Sequence, residues 1–220
     1  MSELRLCRPA RLIFVASCVV SCLVCCFVSC PAFGQDTGGW LMWRPNQEVR
    51  VRPLPSLMAR SEDLSDVLLT SLDMVFHDRR ICCGKDSALE DRALAADPLS
   101  LKEIASKVQG RWLLSEGQPI QITADFLPAG STIDSSLWIV GHLIQKQAML
   151  MVWDSHLYVL YGAVFDEVIY SNGTPNASMI HKLLLLDTRY SDSRREVVFN
   201  RNTDDWGKVQ GMLLLTVTPM

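Results

Sequence analysis

Hydrophobic positions change their rhythm along this chain. Leu64, Val67, Leu68, Leu72, Val75 and Phe76 recur at three- and four-residue intervals, the spacing that gathers side chains on one helix face. Ser61-Glu62-Asp63 stands in front of them, and acidic residues suit the positive end of a helix dipole. Residues 86–96 are rich in Ala, Leu and charged residues and predict a second helix, which Asp97-Pro98 ends. Ser100 and Glu103 have the spacing of a capping box, Leu101, Ile104 and Val108 form one apolar stripe, and Gly110 supplies a stop. Residues 112–126 read as a transition region around the Gly117-Gln118-Pro119 turn, and 133–144 predict another helix, broadly apolar and therefore internal.

After residue 147 the pattern shortens. Residues 148–153, 156–161, 167–170, 182–186, 196–199 and 212–217 predict strands separated by turns, with Asn172-Gly173 a strong turn signal. Helices first and an antiparallel sheet afterwards make an α+β organisation. At 220 residues the chain fits one domain with a full-sized core. We expect residues 61–220 to form that domain, with 35–60 as an extended, Gly/Pro-marked lead-in that packs through Trp40 and Trp43.

The first 34 residues follow other rules. Arg5, Arg8 and Arg11 precede an apolar run over 12–28, and Ala32 and Gly34 place small residues at its exit. These are the three parts of a secretory signal peptide, with cleavage expected after Gly34 and a periplasmic or extracellular body. The run also reaches the lower length of a membrane-spanning helix, and Phe27-Val28-Ser29-Cys30 resembles a lipoprotein processing site. Contact with a membrane is therefore expected only through an uncleaved leader or a lipid on Cys30.

Charge and cysteine usage narrow the classes. The chain has 21 Lys and Arg against 24 Asp and Glu; without Arg5, Arg8, Arg11 and Glu3 of the leader, 18 basic face 23 acidic side chains. That balance offers no broad cationic surface, and no nucleic-acid partner is expected. Six of the eight cysteines lie in the leader, leaving adjacent Cys82 and Cys83. A disulfide scaffold is excluded, while a vicinal disulfide, a reactive thiol and two buried thiols remain open.

Cys83 is the leading chemical candidate. Gly84 permits close backbone approach, Lys85 adds positive potential, and the helix predicted next turns free backbone amides toward the thiol. A nucleophilic thiol needs a base, and His156 begins an apolar strand that can hold imidazole at a sheet rim. Asp187 terminates the Leu183-Leu184-Leu185-Leu186 run, from which a carboxylate could orient that ring. The readings set beside these are a packed or crosslinked cysteine, a structural histidine, and an aspartate in a strand-end turn or surface salt bridge. Asp154 competes with Asp187 for the orienting role.

These pieces resemble the papain-like cysteine peptidases, especially the bacterial branch related to double-glycine leader peptidases. The matching residues are Cys83-Gly84 before a helix, the strand His156-Leu157-Tyr158-Val159-Leu160-Tyr161-Gly162, and Leu184-Leu185-Leu186-Asp187 ending in Asp. The resemblance spans roughly residues 60–217. It implies a papain-like arrangement of early helices against a later antiparallel sheet, with Cys83 as nucleophile, His156 as general base and Asp187 as the orienting residue. It implies a peptide or protein substrate, and no metal or organic cofactor. Where the family carries an oxyanion-supporting Gln six residues before the nucleophile, this chain has His77, which can donate a hydrogen bond. Cys82 and Lys85 also depart from the usual flanking residues. The departures set a second reading beside the exported peptidase: a noncatalytic papain-like binding or structural domain at the cell envelope.

Other signals point to structure. His142 and His181 form no compact ligand signature with His156, so no metal site is expected. Trp112, Trp138, Trp153 and Trp206 suit core packing better than a peptide groove. Arg189, Arg194, Arg195 and Arg201 are interrupted by acidic residues and read as a solvated polar face. Asn172 and Asn176 match glycosylation acceptors, but the bacterial resemblance argues against that modification.

Overall fold

The computed structural model describes residues 41–52, 57–77, 81, 87–114, 116–130, 136–190, 194–198 and 205–220. All of them belong to one compact unit. The leader and Cys82-Cys83-Gly84-Lys85, on which several expectations rest, lie outside the described residues.

The first element among the described residues is strand β1 (Leu41–Arg50), so residues 41–50 of the segment expected as an extended lead-in are hydrogen-bonded into a sheet. Helix α1 (Leu64–Val75) starts where the acidic cluster predicted, with Asp63 accepting from the Ser65 amide at 3.3 Å. It buries Val67, Leu68, Leu72 and Met74. Helices α2 (Ser87–Leu94) and α3 (Leu101–Val108) follow. Ser100 caps α3 by accepting from the Glu103 amide at 3.4 Å, but Glu103 reaches back to the Asp97 amide rather than to Ser100. The Ser100 amide is already used by the Asp97 carbonyl at 2.9 Å, so only half of the reciprocal box forms.

Strands β2 (Gly110–Leu113) and β3 (Pro119–Pro128) occupy the region read as a transition. Helix α4 (Ser136–Ile144) is followed by β4 (Met149–Trp153), β5 (His156–Tyr170), β6 (Pro175–Leu186), β7 (Arg194–Val198) and β8 (Val209–Pro219). The molecule is α+β, with helices interspersed among strands of one eight-stranded sheet in which seven run in the order β2-β3-β8-β4-β5-β6-β7 and β1 pairs with β5 off that path. Every pairing is antiparallel.

β5 organises this sheet. Sequence patterning predicts two short strands at 156–161 and 167–170, yet the strand is continuous over fifteen residues. One edge pairs with β6. The other edge pairs first with β4 over 156–160 and then with β1 over 162–170. Gly162 sits at this change of neighbour, where a Cβ would lie 2.7 Å from the Val49 carbonyl oxygen; the close backbone approach accounts for glycine at this position.

Candidate functional site

The rim carrying His156 is made by a tight hairpin. Trp153 of β4 pairs with His156 of β5, leaving Asp154-Ser155 as a two-residue connection. Both connecting residues have positive φ, 49° and 60°, as a type I′ turn requires; its twist matches that of the flanking strands. The Asp154 amide donates to the Lys208 carbonyl at 3.1 Å, which ties the turn to the approach to β8.

His156 is half-buried at the first position of β5, and its Nδ1 lies 2.7 Å from the Asp154 backbone oxygen. A carbonyl can only accept, so Nδ1 carries a proton; in the neutral form of the ring Nε2 is then the free acceptor. The residue considered from sequence as a competing carboxylate for ring orientation thus contributes its main chain instead.

Asp187 stands just beyond β6. Val159 pairs with Leu186, and one further step of that register sets Asp187 opposite Tyr158. Residues two apart share a sheet face, so His156 and Tyr158 do, and the Asp187 charge acts on the Tyr158 phenol. The His156 and Tyr158 ring centroids are 6.4 Å apart, and those of Trp153 and Tyr158 are 5.9 Å apart.

The Asp187 carboxylate is fully buried and engaged by Arg189. Arg189 Nε donates to Oδ1 at 2.8 Å, Nη2 donates to Oδ2 at 2.6 Å, and the Arg189 amide adds a bond to Oδ1 at 3.1 Å. This is a bidentate guanidinium–carboxylate pair, the strongest form of charge-assisted hydrogen bond available to two side chains. The bonds to Asp187 hold the Arg189 guanidinium well above its ordinary range. Burial raises the Tyr158 phenol, and the negative charge of Asp187 raises it further, with Arg189 and Arg195 opposing.

Arg189 is a correction to the sequence reading. Grouped there with Arg194, Arg195 and Arg201 as solvated charge, it is only 17% exposed and covers a buried anion. Its signal was an Asp at the end of a strand, a residue that starts a turn by accepting from the amide two positions on; that bond, with the turn over 187–190, brings the Arg189 side chain back to the carboxylate. Thr188 points to other partners: its Oγ1 lies 3.2 Å from Ser71 Oγ in α1, and its carbonyl accepts from the Ala59 amide at 2.8 Å. The end of β6 is thereby locked to α1 and to the segment that leads into it.

His77 is exposed, two residues past α1. Cys83 lies outside the described residues, four positions ahead of α2. The other histidines have local partners: His142 Nδ1 is 2.6 Å from Gln147 Oε1 and its ring packs edge-on against Trp138, while His181 Nε2 is 2.9 Å from Asp166 Oδ1. Among the described residues no group of three or more His, Cys, Asp or Glu side chains gathers to hold a metal. A cavity of about 220 Å³ near the start of β4, lined in part by Phe76, Lys146, Ala148 and Thr216, lies at the opposite end of that strand from Trp153 and His156.

Trp112, Trp138, Trp153 and Trp206 all pack against the hydrophobic core. Trp112 donates to the Val108 carbonyl at 2.8 Å and Trp153 to the Asp205 carbonyl at 3.1 Å. Compared with protein-family models and with curated proteins, the chain matches none.

Proposed function

We propose that the chain is an exported, thiol-dependent hydrolase of peptide amides with a papain-like arrangement of its helices and sheet. Cys83 is the nucleophile in this reading and His156 takes the thiol proton through its unprotonated Nε2. The thiolate attacks the carbonyl carbon, and the oxyanion is held by backbone amides with His77 as a further donor. His156 then returns the proton to the leaving amine as the C–N bond breaks, and water hydrolyses the thioester. Asp187 is the third member in this reading; the Asp154 carbonyl holds the ring's Nδ1, so Asp187 acts on the imidazolium through its negative charge and not through a hydrogen bond. The observation that supports this reading is that Tyr158 neighbours both residues: its ring centroid is 6.4 Å from that of His156, and the Asp187 charge acts on its phenol.

A second reading has its own support. Arg189 occupies both oxygens of Asp187, and His156 turns its Nδ1 to Asp154. Those partners suit a noncatalytic binding or structural domain at the cell envelope, in which the paired groups serve only stability.

Reaction of the folded, reduced protein with a small electrophile, followed by mapping of the adduct, separates the two. The hydrolase reading expects fast, selective modification of Cys83 that slows in His156→Ala, because loss of the imidazole lowers the thiolate population near neutral pH. Equal rates in both proteins would remove the base role of His156. An unmodified Cys83 would leave the binding domain as the function.

A further inference from the structure

The distal half of β5, with its partners in β1 and β6, forms a ribbon against which α4 packs. Its two faces differ. Ala163, Phe165 and Ile169 are buried on one. On the other, Tyr170 is 41% exposed, and the β1 and β6 residues paired along that face include Leu41 at 55%, Trp43 at 64% and Met179 at 59%. Large apolar side chains concentrated on one side of a sheet mark a contact surface.

The carboxylate at the centre of this face is partnered, and Glu48 with Arg50 and Lys182 with Glu196 form ion pairs along it. Asp166 accepts from the Asn46 amide at 2.9 Å and pairs with His181, and the Trp43 side chain hydrogen-bonds the same carboxylate. Covering Asp166 therefore does not leave it without a partner, which lowers the cost of desolvating the part of the face around Trp43 and Met179. Trp and Tyr rings beside aliphatic and thioether groups are the composition favoured at a membrane–water interface.

Chain continuity selects the occupant. The apolar run over 12–28 ends thirteen positions before Leu41, and Cys30 lies eleven before it. Thirteen extended residues reach about 45 Å at most, so an anchor at either place keeps this ribbon at high local concentration over the bilayer. We propose that the outward face of the β1–β5–β6 ribbon docks on the lipid headgroup region, seating Trp43, Tyr170 and Met179 at the interface. The inference rests on the leader being retained or Cys30 carrying lipid, and is independent of the chemistry proposed for Cys83.

The test uses the full chain reconstituted in vesicles of phosphatidylethanolamine and phosphatidylglycerol, with nitroxide-labelled lipid as quencher. Subtracting the emission of Trp43→Phe from that of the unaltered protein isolates Trp43. Docking expects this component to be quenched by a nitroxide high on the acyl chain, less by one near the chain end, and to be shielded from aqueous iodide. In the double variant Tyr170→Ser, Met179→Ser, iodide should regain access to Trp43. A chain that fails to float with the vesicles overturns the tether. A chain that floats while Trp43 remains open to iodide overturns docking alone. Shielding without lipid quenching also overturns it, assigning the face to a second copy if the particle mass doubles and to the leader itself if it does not.

Discussion

The two halves of β5 hold charge in different ways. In the proximal half, residues 157–163 are all buried, and the neighbouring charges, Asp187 and Arg189, are enclosed and locked by three hydrogen bonds. In the distal half burial alternates, and the Asp166–His181 pair lies on the more open face, with the His181 side chain 37% exposed. An enclosed pair has no water to replace a lost partner, whereas an open pair does. The first arrangement therefore fixes geometry, and the second leaves a surface adjustable.

Removing the enclosed cation is the severest way to break that contrast. Arg189→Met strands the Asp187 carboxylate in the interior and should cost about 3–5 kcal/mol in urea unfolding. The double variant Asp187→Leu, Arg189→Met should recover much of this loss, because no charge is then left alone. A single-variant loss under about 1 kcal/mol would mean that water reaches Asp187, and the two halves would no longer differ.

Gly162 marks the boundary between them. Gly162→Ala places a methyl against the Val49 carbonyl oxygen and Leu184 Cδ1. Since the first contact is backbone, β1 must move, and we expect a loss of about 1–3 kcal/mol. Hydrogen exchange locates the effect: amides of β1 should lose protection while those of β4 keep theirs. Equal loss in both strands would join the halves into one unit.

The smallest effect belongs to the open pair. The Asn46 amide, aided by His181, holds Asp166 below its ordinary 3.8. A carboxyl with a depressed folded pKa contributes stability above its unfolded value and loses it as pH falls through the folded one. Asp166→Asn should therefore flatten the stability profile below about pH 4, by under about 1 kcal/mol for a partly solvated pair. Denaturation midpoints on descending pH read this directly, and an unchanged slope would remove the contribution of Asp166.

Legibility in the sequence followed the range of the interactions. The faces of α1 and α3 were readable from their apolar spacing, and so was the Asn172-Gly173 turn, because periodicity and turn chemistry are local. β1 was read only as extended chain, since Pro45 and scattered arginines obscure a strand whose partner lies more than a hundred residues away. The interruption expected between 161 and 167 fails for a related reason. Gly162 and Asp166 weaken a strand pattern in isolation, but the first accommodates the Val49 backbone and the second is satisfied by Asn46 and His181.

The sequence by itself located the four helices found among the described residues and parts of the later strands, and singled out Cys83, His156 and Asp187 as residues to test. Only tertiary structure decided what the last two touch. Asp187 meets Arg189 because the chain turns at the end of β6, with the Tyr190 amide donating to the Asp187 carbonyl and Thr188 held toward α1. His156 meets the Asp154 carbonyl because a two-residue turn folds β5 back on β4. Residue type sets which hydrogen bonds a side chain is able to make, and the packed backbone chooses among them by fixing which partner lies within reach.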